Sequence, residues 1–222
     1  MSASVCAVLR AREGRDLIAA LEGQTRPPDA IEIGLEAASH ADWVWLLDSG
    51  AVPEPTALER LEEATVAPES MPSPALLASK VLGPDGSLDP LSLPVAQVRD
   101  PDFAVAAFEH RLLSLRVARR GSMLVHRDGV NMVASRWPTL SPFDHDLEWT
   151  ARLLKQKPGL LVPASVVVRR PGSQTRARRA RGETASRLRL LLGDAIELRD
   201  KPWFAFRFAE EALAGIRERG HS

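Results

Sequence analysis

Side chains that could do chemistry lie in three short stretches of this 222-residue sequence. Asp48 directly follows the apolar run WVWLL, the acidic stretch DHDLE begins at Asp144, and Arg169 directly follows the run LLVPASVVV. A carboxylate can accept a proton or bind a cation, and a guanidinium can bind a phosphate through two hydrogen bonds. Group transfer needs both kinds of side chain, so the chemistry depends on a fold that brings these stretches together.

The element that must position Asp48 is the apolar run before it. Five consecutive apolar residues, 43 to 47, are typical of an interior strand of a parallel sheet, which is buried on both faces. Ligands of open α/β sheets bind beyond the carboxyl ends of the strands, where Asp48 would lie. The sequence Pro-Glu-Pro at 53–55 then opens an amphipathic helix that is predicted to run to Ala64.

The start of the chain predicts a βαβ unit. Residues 4–9 form a short apolar run, residues 14–22 have apolar side chains at helical spacing, and residues 31–35 alternate as in a strand. Such a unit implies a right-handed crossover and a parallel sheet, which places the chain in the α/β class.

The remaining elements follow from the same patterns. Strands are predicted at 75–82 and 121–127 and, either as two strands or as one bent at Pro163, at 160–168. Helices are predicted at 103–118, from 128 to about 134, from 144 or 146 to 155, at 187–198 and at 203–219. Residues 88–101 contain three prolines and are predicted to be irregular.

Composition narrows the classes of function. Lys plus Arg equals Asp plus Glu at 29 each, so net charge gives no reason to expect a nucleic-acid partner. The one cysteine, Cys6, lies in an apolar run and is predicted to be a core residue. Without a signal peptide or a long apolar run, the expected location is cytoplasmic. The basic loop at 171–187 is either an exposed linker or a peripheral contact with an anionic membrane.

Four short motifs occur one after another along the chain. They are QTRPP at 24–28, ADWVWLLDSGAVPEP at 41–55, GSMLVHR at 121–127 and DHDLEWTARL at 144–153. The series resembles the family-2 glycosyltransferases of GT-A fold, over roughly residues 4 to 170. The resemblance implies a reduced GT-A fold: a Rossmann-like, mostly parallel sheet flanked by helices, in a domain of residues 1–170. A basic loop at 171–187 and a helical C-terminal extension at 188–222 would follow it.

The resemblance also implies roles for individual residues. Asp146 aligns with the general base of an inverting transfer, which removes the proton of the acceptor hydroxyl. Asp48 would lie near the diphosphate of a nucleotide-sugar donor, and His145, Glu148 and His126 would lie on the side of a sugar or lipid-linked acceptor. Spacing alone leaves a second interpretation open, in which Asp144 or Asp146 simply caps a helix.

The chain departs from the family pattern at the donor site. The triplet Asp48-Ser49-Gly50 lacks the second acid of the family's Asp-x-Asp, and Arg169 stands where the family has a metal-binding histidine. A segment of about 30 residues, one βα unit, is also missing before Trp43. No cofactor is therefore assigned, Asp48 is the one candidate ligand for Mn²⁺ or Mg²⁺, and Arg169 could supply the cation's charge instead. The alternative is a catalytically inactive protein of the same fold, acting as a binding or partner subunit or as a homo-oligomer.

Overall fold

The computed structural model describes residues 3–9, 15–35, 40–48, 50–66, 71–90, 92–97, 100–119 and 121–171, together with 187, 190–196, 201–202, 204–205 and 208. The helices are α1 (Arg15–Glu22), α2 (Ala57–Glu63), α3 (Pro101–Glu109), α4 (Arg127–Arg136) and α5 (Asp146–Gln156). The strands are β1 (Val5–Leu9), β2 (Ala30–Ile33), β3 (Trp43–Leu47), β4 (Ala51–Pro53), β5 (Leu76–Leu82), β6 (Val95–Ala96), β7 (Leu113–Val117), β8 (Ser122–His126) and β9 (Gly159–Arg169). None of the helices described here is long and apolar enough to cross a membrane.

The strands form one nine-stranded sheet flanked by helices. Its order is β2-β1-β3-β8-β5-β9-β7-β6, and β4 pairs with β9 outside this path. The α/β class is therefore confirmed. The sheet is mixed rather than mostly parallel, because only the pairs β1–β2, β1–β3 and β5–β9 are parallel. The antiparallel strand β8 lies between β3 and β5, and its buried apolar sequence carries no sign of its direction.

The opening unit has the predicted arrangement. Strand β1 is parallel to β2 and to β3, with Cys6 opposite both Ala30 and Val44. All five residues of β1 and of β3 are buried, which includes both tryptophans of β3. Strand β2 forms the edge of the sheet and is largely exposed. Hydrophobic burial thus selects β3 as an interior strand, as its continuous apolar run predicts.

The predicted helix at 103–118 is confirmed for residues 103–109 and wrong beyond them. Helix α3 ends at Glu109, the chain reverses at Arg111 with a φ of +61°, and β7 follows. Leu112 and Leu115 satisfy a helical spacing together with Phe108, but Phe108 is exposed in the structure. The sequence pattern could not show this, because pairing of β7 with β9 and β6 overrides the local propensity. Two short strands, β4 and β6, also lie in stretches without a periodic signal.

Strand β9 is one continuous strand with an irregular centre. Its register against β5 shifts between the pairs Ser79–Val162 and Lys80–Val166, so residues 163–165 form a bulge. Proline has no N–H for the ladder, which makes Pro163 a natural place for this bulge. The second of the two predicted forms, a strand bent at Pro163, is the one observed.

Helix α5 is buried along most of its length, from Asp146 to Leu154. It packs against β7 and α4. A further apolar cluster joins its residues Leu147 and Ala151 to residues from the end of the chain, namely Leu190, Ala195, Ile196, Phe204 and Phe208. Phe204 and Phe208 thus pack on the domain. Most of the basic loop at 171–187 and most of the two C-terminal helices lie outside the described residues.

Candidate functional site

Asp48 is held at the carboxyl end of β3 by a tight turn. Its backbone N–H donates to the carbonyl of Gly121 at 3.1 Å, and its carbonyl accepts from the N–H of Ala51 at 3.0 Å. Gly50 takes a φ of +76° within this turn, a conformation that glycine adopts without strain. Only 4% of Asp48 is exposed. Asp48 therefore lies beyond the carboxyl end of β3, as predicted, and its side chain is buried.

The pairing of β4 with β9 brings Arg169 to this turn. Arg169, the last residue of β9, lies opposite Ala51 in the register, and the N–H of Arg170 donates to the carbonyl of Gly50 at 2.8 Å. The guanidinium NH1 of Arg169 is 3.1 Å from Oδ2 of Asp48. The two residues that the sequence placed on the donor side are thus in direct contact.

Two further residues, which the sequence interpretation missed, complete this arrangement. Asp89 Oδ2 accepts from Nε of Arg169 at 2.8 Å, and Ser92 Oγ accepts from NH2 of Arg169 at 2.9 Å. The hydroxyl of Ser92 also donates to Asp89 Oδ2 at 2.6 Å. Asp, Pro and Ser are typical turn residues, so the sequence does indicate a turn at Asp89 and Ser92. It does not indicate that Asp89 binds a residue 80 positions later in the chain.

Asp48, Asp89, Ser92 and Arg169 are called the Arg169 cluster below. Each of the four residues is less than a tenth exposed. The cluster contains two carboxylates and one guanidinium, a formal charge of minus one if all three are ionised. Charged groups leave water only at a cost, and hydrogen-bonded ion pairs between them offset that cost. The guanidinium therefore offsets part of the cost of burying both carboxylates.

The residues of the cluster do not fit a divalent metal ion. Mn²⁺ and Mg²⁺ prefer several oxygen ligands around one point, whereas the guanidinium of Arg169 lies against the carboxylate of Asp48 where such an ion would bind. Within the part of the chain that the structure describes, no group of three or more His, Cys, Asp or Glu side chains could hold a metal ion. Asp48 is thus engaged by a side-chain cation.

Asp146 is the first residue of α5 and is 4% exposed. The N-cap is His145, whose side chain makes no capping hydrogen bond, so neither Asp144 nor Asp146 occupies the capping position. A carboxylate in the first turn of a helix is favoured by the helix dipole. Asp146 and Glu148 both lie in this first turn.

The start of α5 and Asp48 each contact a buried residue of the short stretch between β7 and β8, namely Ala118 and Gly121 respectively. At one end, the hydroxyl of Thr150 donates to the carbonyl of Ala118 at 2.8 Å, and it lies 2.8 Å from the carbonyl of Asp146 one turn earlier. At the other end, the carbonyl of Gly121 accepts from the N–H of Asp48. Asp146, through Thr150, and Asp48, directly, are thus both connected to residues between β7 and β8.

Glu148 is engaged in an ion pair on its own helix. Its Oε1 lies 3.0 Å from NH2 of Arg152. The same guanidinium donates to Asp194 at 2.8 Å and stacks over Trp137 at 4.3 Å from the ring centre. The hydrogen bond from Arg152 lowers the pKa of Asp194. Arg152 therefore ties α5 to the C-terminal part of the chain.

The two histidines assigned to the acceptor side lie in different places. His145 adjoins Asp146, and its Nδ1 accepts from the N–H of Ser141 at 3.4 Å. His126 caps α4 through its Nδ1 and packs edge-on against Trp43, with ring centres 5.0 Å apart. His126 pairs with Trp43 at the amino end of β3, the end opposite to Asp48. The fold therefore places His145 beside Asp146 and His126 away from Asp48.

Comparisons with protein-family models and with curated proteins gave no match for this chain.

Proposed function

We propose that this chain is a glycosyltransferase-like protein of reduced GT-A fold. In this proposal it transfers a sugar from a nucleoside-diphosphate donor to an acceptor hydroxyl with inversion. The contact between Asp48 and Arg169 is the observation that carries the proposal. Asp48 directly follows the carboxyl end of β3 and Arg169 is the last residue of β9, and α/β sheets bind their ligands at the carboxyl ends of their strands.

The proposed reaction assigns one role to each side of the site. Asp146 accepts the proton of the acceptor hydroxyl while that oxygen attacks the anomeric carbon of the donor. The bond from the anomeric carbon to the diphosphate breaks, and the diphosphate leaves with the bonding electron pair. Arg169 faces the added negative charge of this leaving group, because a fixed cation is stabilising where charge develops. The acceptor is a sugar or a lipid-linked sugar.

The guanidinium of Arg169 keeps some capacity for a phosphate. An arginine side chain has five N–H groups. Three of the nitrogen atoms of Arg169 each donate once within the Arg169 cluster, so NH1 and NH2 retain one N–H each beyond these contacts. Two parallel N–H groups suit the oxygens of a phosphate. Donor binding would then need no metal ion.

A second candidate function is that of a binding or partner subunit without catalysis. The observation in its favour is that Asp48 and Asp89 both pair with the guanidinium of Arg169, so the group that would bind a diphosphate is already engaged by two carboxylates. Two carboxylates next to the donor diphosphate would repel it. In addition, β2 is the edge of the sheet, so no strand beyond it supports the base of a nucleotide. A protein partner, a second copy of the chain or a membrane surface would then be what it binds.

Calorimetric titration with UDP, GDP and dTDP, each with and without Mn²⁺ or Mg²⁺, separates the two candidates. Binding that is equal with and without metal is the result expected for the glycosyltransferase-like function. Binding of none of the nucleotides at millimolar concentration would leave the partner subunit as the function.

A substitution at Asp146 tests the proposed base. Asp146→Asn should leave nucleotide binding unchanged and abolish transfer, because the amide cannot accept the hydroxyl proton. Asp144→Asn is the matched control, because it makes the same change two residues earlier at an exposed position. Equal loss of transfer in both variants would count against a base at Asp146.

A further inference from the structure

We infer that Asp89 and Ser92 are positioning residues that hold Arg169 as a built-in cation against Asp48, so that this edge of the sheet takes its positive charge from a side chain instead of a divalent metal ion. Asp89 is then the second carboxylate of the site, although it lies 41 positions after Asp48 in the sequence. The inference rests on the proposed function only where it assigns the site to a nucleotide-sugar donor.

The hydrogen bonds around Arg169 fix the plane of its guanidinium. Nε donates to Asp89, NH2 donates to Ser92, and the hydroxyl of Ser92 donates to the same oxygen of Asp89, which closes a ring of three hydrogen bonds. NH1, at the third corner of the guanidinium, donates to Asp48. A planar group held at all three nitrogens can neither rotate nor tilt freely, so the positive charge of Arg169 is held against Asp48.

The backbones of Asp48 and Asp89 are each hydrogen-bonded to one of two residues that lie close together. The N–H of Asp89 donates to the carbonyl of Val81 at 3.0 Å, and the N–H of Asp48 donates to the carbonyl of Gly121. Val81 and Gly121 touch: a Cβ on Gly121 would lie 2.6 Å from Cγ2 of Val81. Gly121 also has a φ of +152°, which favours glycine. The residues that hold the backbones of Asp48 and Asp89 are thus close together, because the side chain of Val81 occupies the space beside Gly121.

The charges of the cluster predict what happens when the guanidinium is removed. Arg169→Ala removes the cation that lies against Asp48 and Asp89, so the negative charge of these two buried carboxylates is less balanced than in the natural protein. Carboxylate oxygens are the preferred ligands of hard divalent cations. An Arg169→Ala variant should therefore acquire affinity for Mn²⁺ that the natural protein lacks.

The test is a titration with Mn²⁺ alone, followed by the electron paramagnetic resonance signal of the free ion. We expect the natural protein and the Arg170→Ala control to bind no Mn²⁺ over the range titrated, and Arg169→Ala to bind it with a dissociation constant at least about tenfold below the highest concentration used. Arg169→Ala/Asp89→Asn should lose this affinity again. Mn²⁺ binding by the natural protein, or equal binding by the single and double variants, would overturn the inference.

A second measurement applies if Arg169→Ala does not fold. The Nε–H signal of Arg169 in a nitrogen–proton NMR spectrum is identified by its absence in Arg169→Lys. It should shift in Asp89→Asn and in Ser92→Ala, while the signal of Arg170 stays in place. An unchanged Arg169 signal would show that Asp89 and Ser92 do not position it. Neither measurement uses a nucleotide, so their failure is distinct from failure of the proposed function.

Discussion

The guanidinium NH1 of Arg169 lies 3.1 Å from Oδ2 of Asp48, although 121 positions separate the two residues in the sequence. The short antiparallel pair of β4 and β9 produces this contact, since it aligns Arg169 with Ala51 directly after the turn at Asp48. The same guanidinium holds Asp89 at 2.8 Å. One arginine therefore balances two buried acids that arrive from different parts of the sheet.

Replacement of Arg169 should strongly destabilise the fold. Arg169→Ala removes the guanidinium that pairs with two buried carboxylates, and breaking a buried ion pair in this way costs about 3–5 kcal/mol. Urea unfolding measures the loss. Arg170→Ala is the control, because Arg170 pairs with exposed Asp16 at 3.3 Å and such surface pairs contribute at most about 1 kcal/mol. Similar losses in both variants would show that the Arg169 cluster is not a buried ion-pair network.

The C-terminal part of the chain should contribute to the core. Phe204 is 1% exposed and packs in the cluster that covers α5, so Phe204→Ala should lower the free energy of unfolding by about 3–5 kcal/mol. The matched control is Phe108→Ala, because Phe108 is 72% exposed and its removal should change stability by no more than about 0.5 kcal/mol. Chemical denaturation of both variants gives the comparison. A neutral Phe204→Ala would mean that the C-terminal segment is not docked on α5.

A buried chain of hydroxyl groups should also affect stability. Ser79 Oγ lies 2.7 Å from Ser122 and 2.8 Å from Ser165, and Ser122 accepts from the indole of Trp45. Ser79→Ala removes the central link and should cost about 1–3 kcal/mol in the free energy of unfolding.

Ser135→Ala is the control for this substitution, since Ser135 is exposed on α4 and its hydroxyl donates to the carbonyl of Met132 on the same helix. Its effect should stay within about 0.5 kcal/mol. Equal effects of the two serine substitutions, measured by urea unfolding, would contradict a structural role for the hydroxyl chain.

The thiol of Cys6 should be unreactive in the folded protein. Burial, with a smaller contribution from Glu32, raises the pKa of this thiol above the ordinary value of 9.0. Cys6 is 4% exposed, so a disulfide reagent at pH 8 should label it only after unfolding in urea. Rapid labelling of the native protein would place the thiol at the surface.

The raised pKa of Cys6 also predicts a dependence of stability on pH. The unfolded chain loses the thiol proton more readily than the folded chain, so this group's contribution is complete below pH 9.0 and is lost as pH rises toward the folded pKa. Cys6→Ala should lose less stability than the natural protein between pH 8 and pH 11, as measured by thermal unfolding. An identical decline in both proteins would assign the effect to other groups.

The sequence predicted where two acids of the candidate site, Asp48 and Asp146, lie in the fold. Asp48 follows a strand that its apolar run identifies, and it lies at that strand's carboxyl end as expected. Asp146 was placed at a helix start, where it is found. Asp89 and Ser92 were missed because they lie in a proline-rich stretch without periodicity, and their partner is set by tertiary pairing. His126 matched a motif, but the antiparallel direction of β8 carries it to the other end of β3.

By itself the sequence determined the α/β class, the interior strand β3 and the burial of Cys6, because each depends on apolar residues close together in the chain. Tertiary structure alone decided the mixture of parallel and antiparallel strands and the reversal at Arg111 that separates α3 from β7. It also decided that residues from the end of the chain pack on α5, and that Arg169 meets Asp48 and Asp89. These features arise from pairings between distant segments, where the gain from burying charges and strands together exceeds any local preference of the residues concerned.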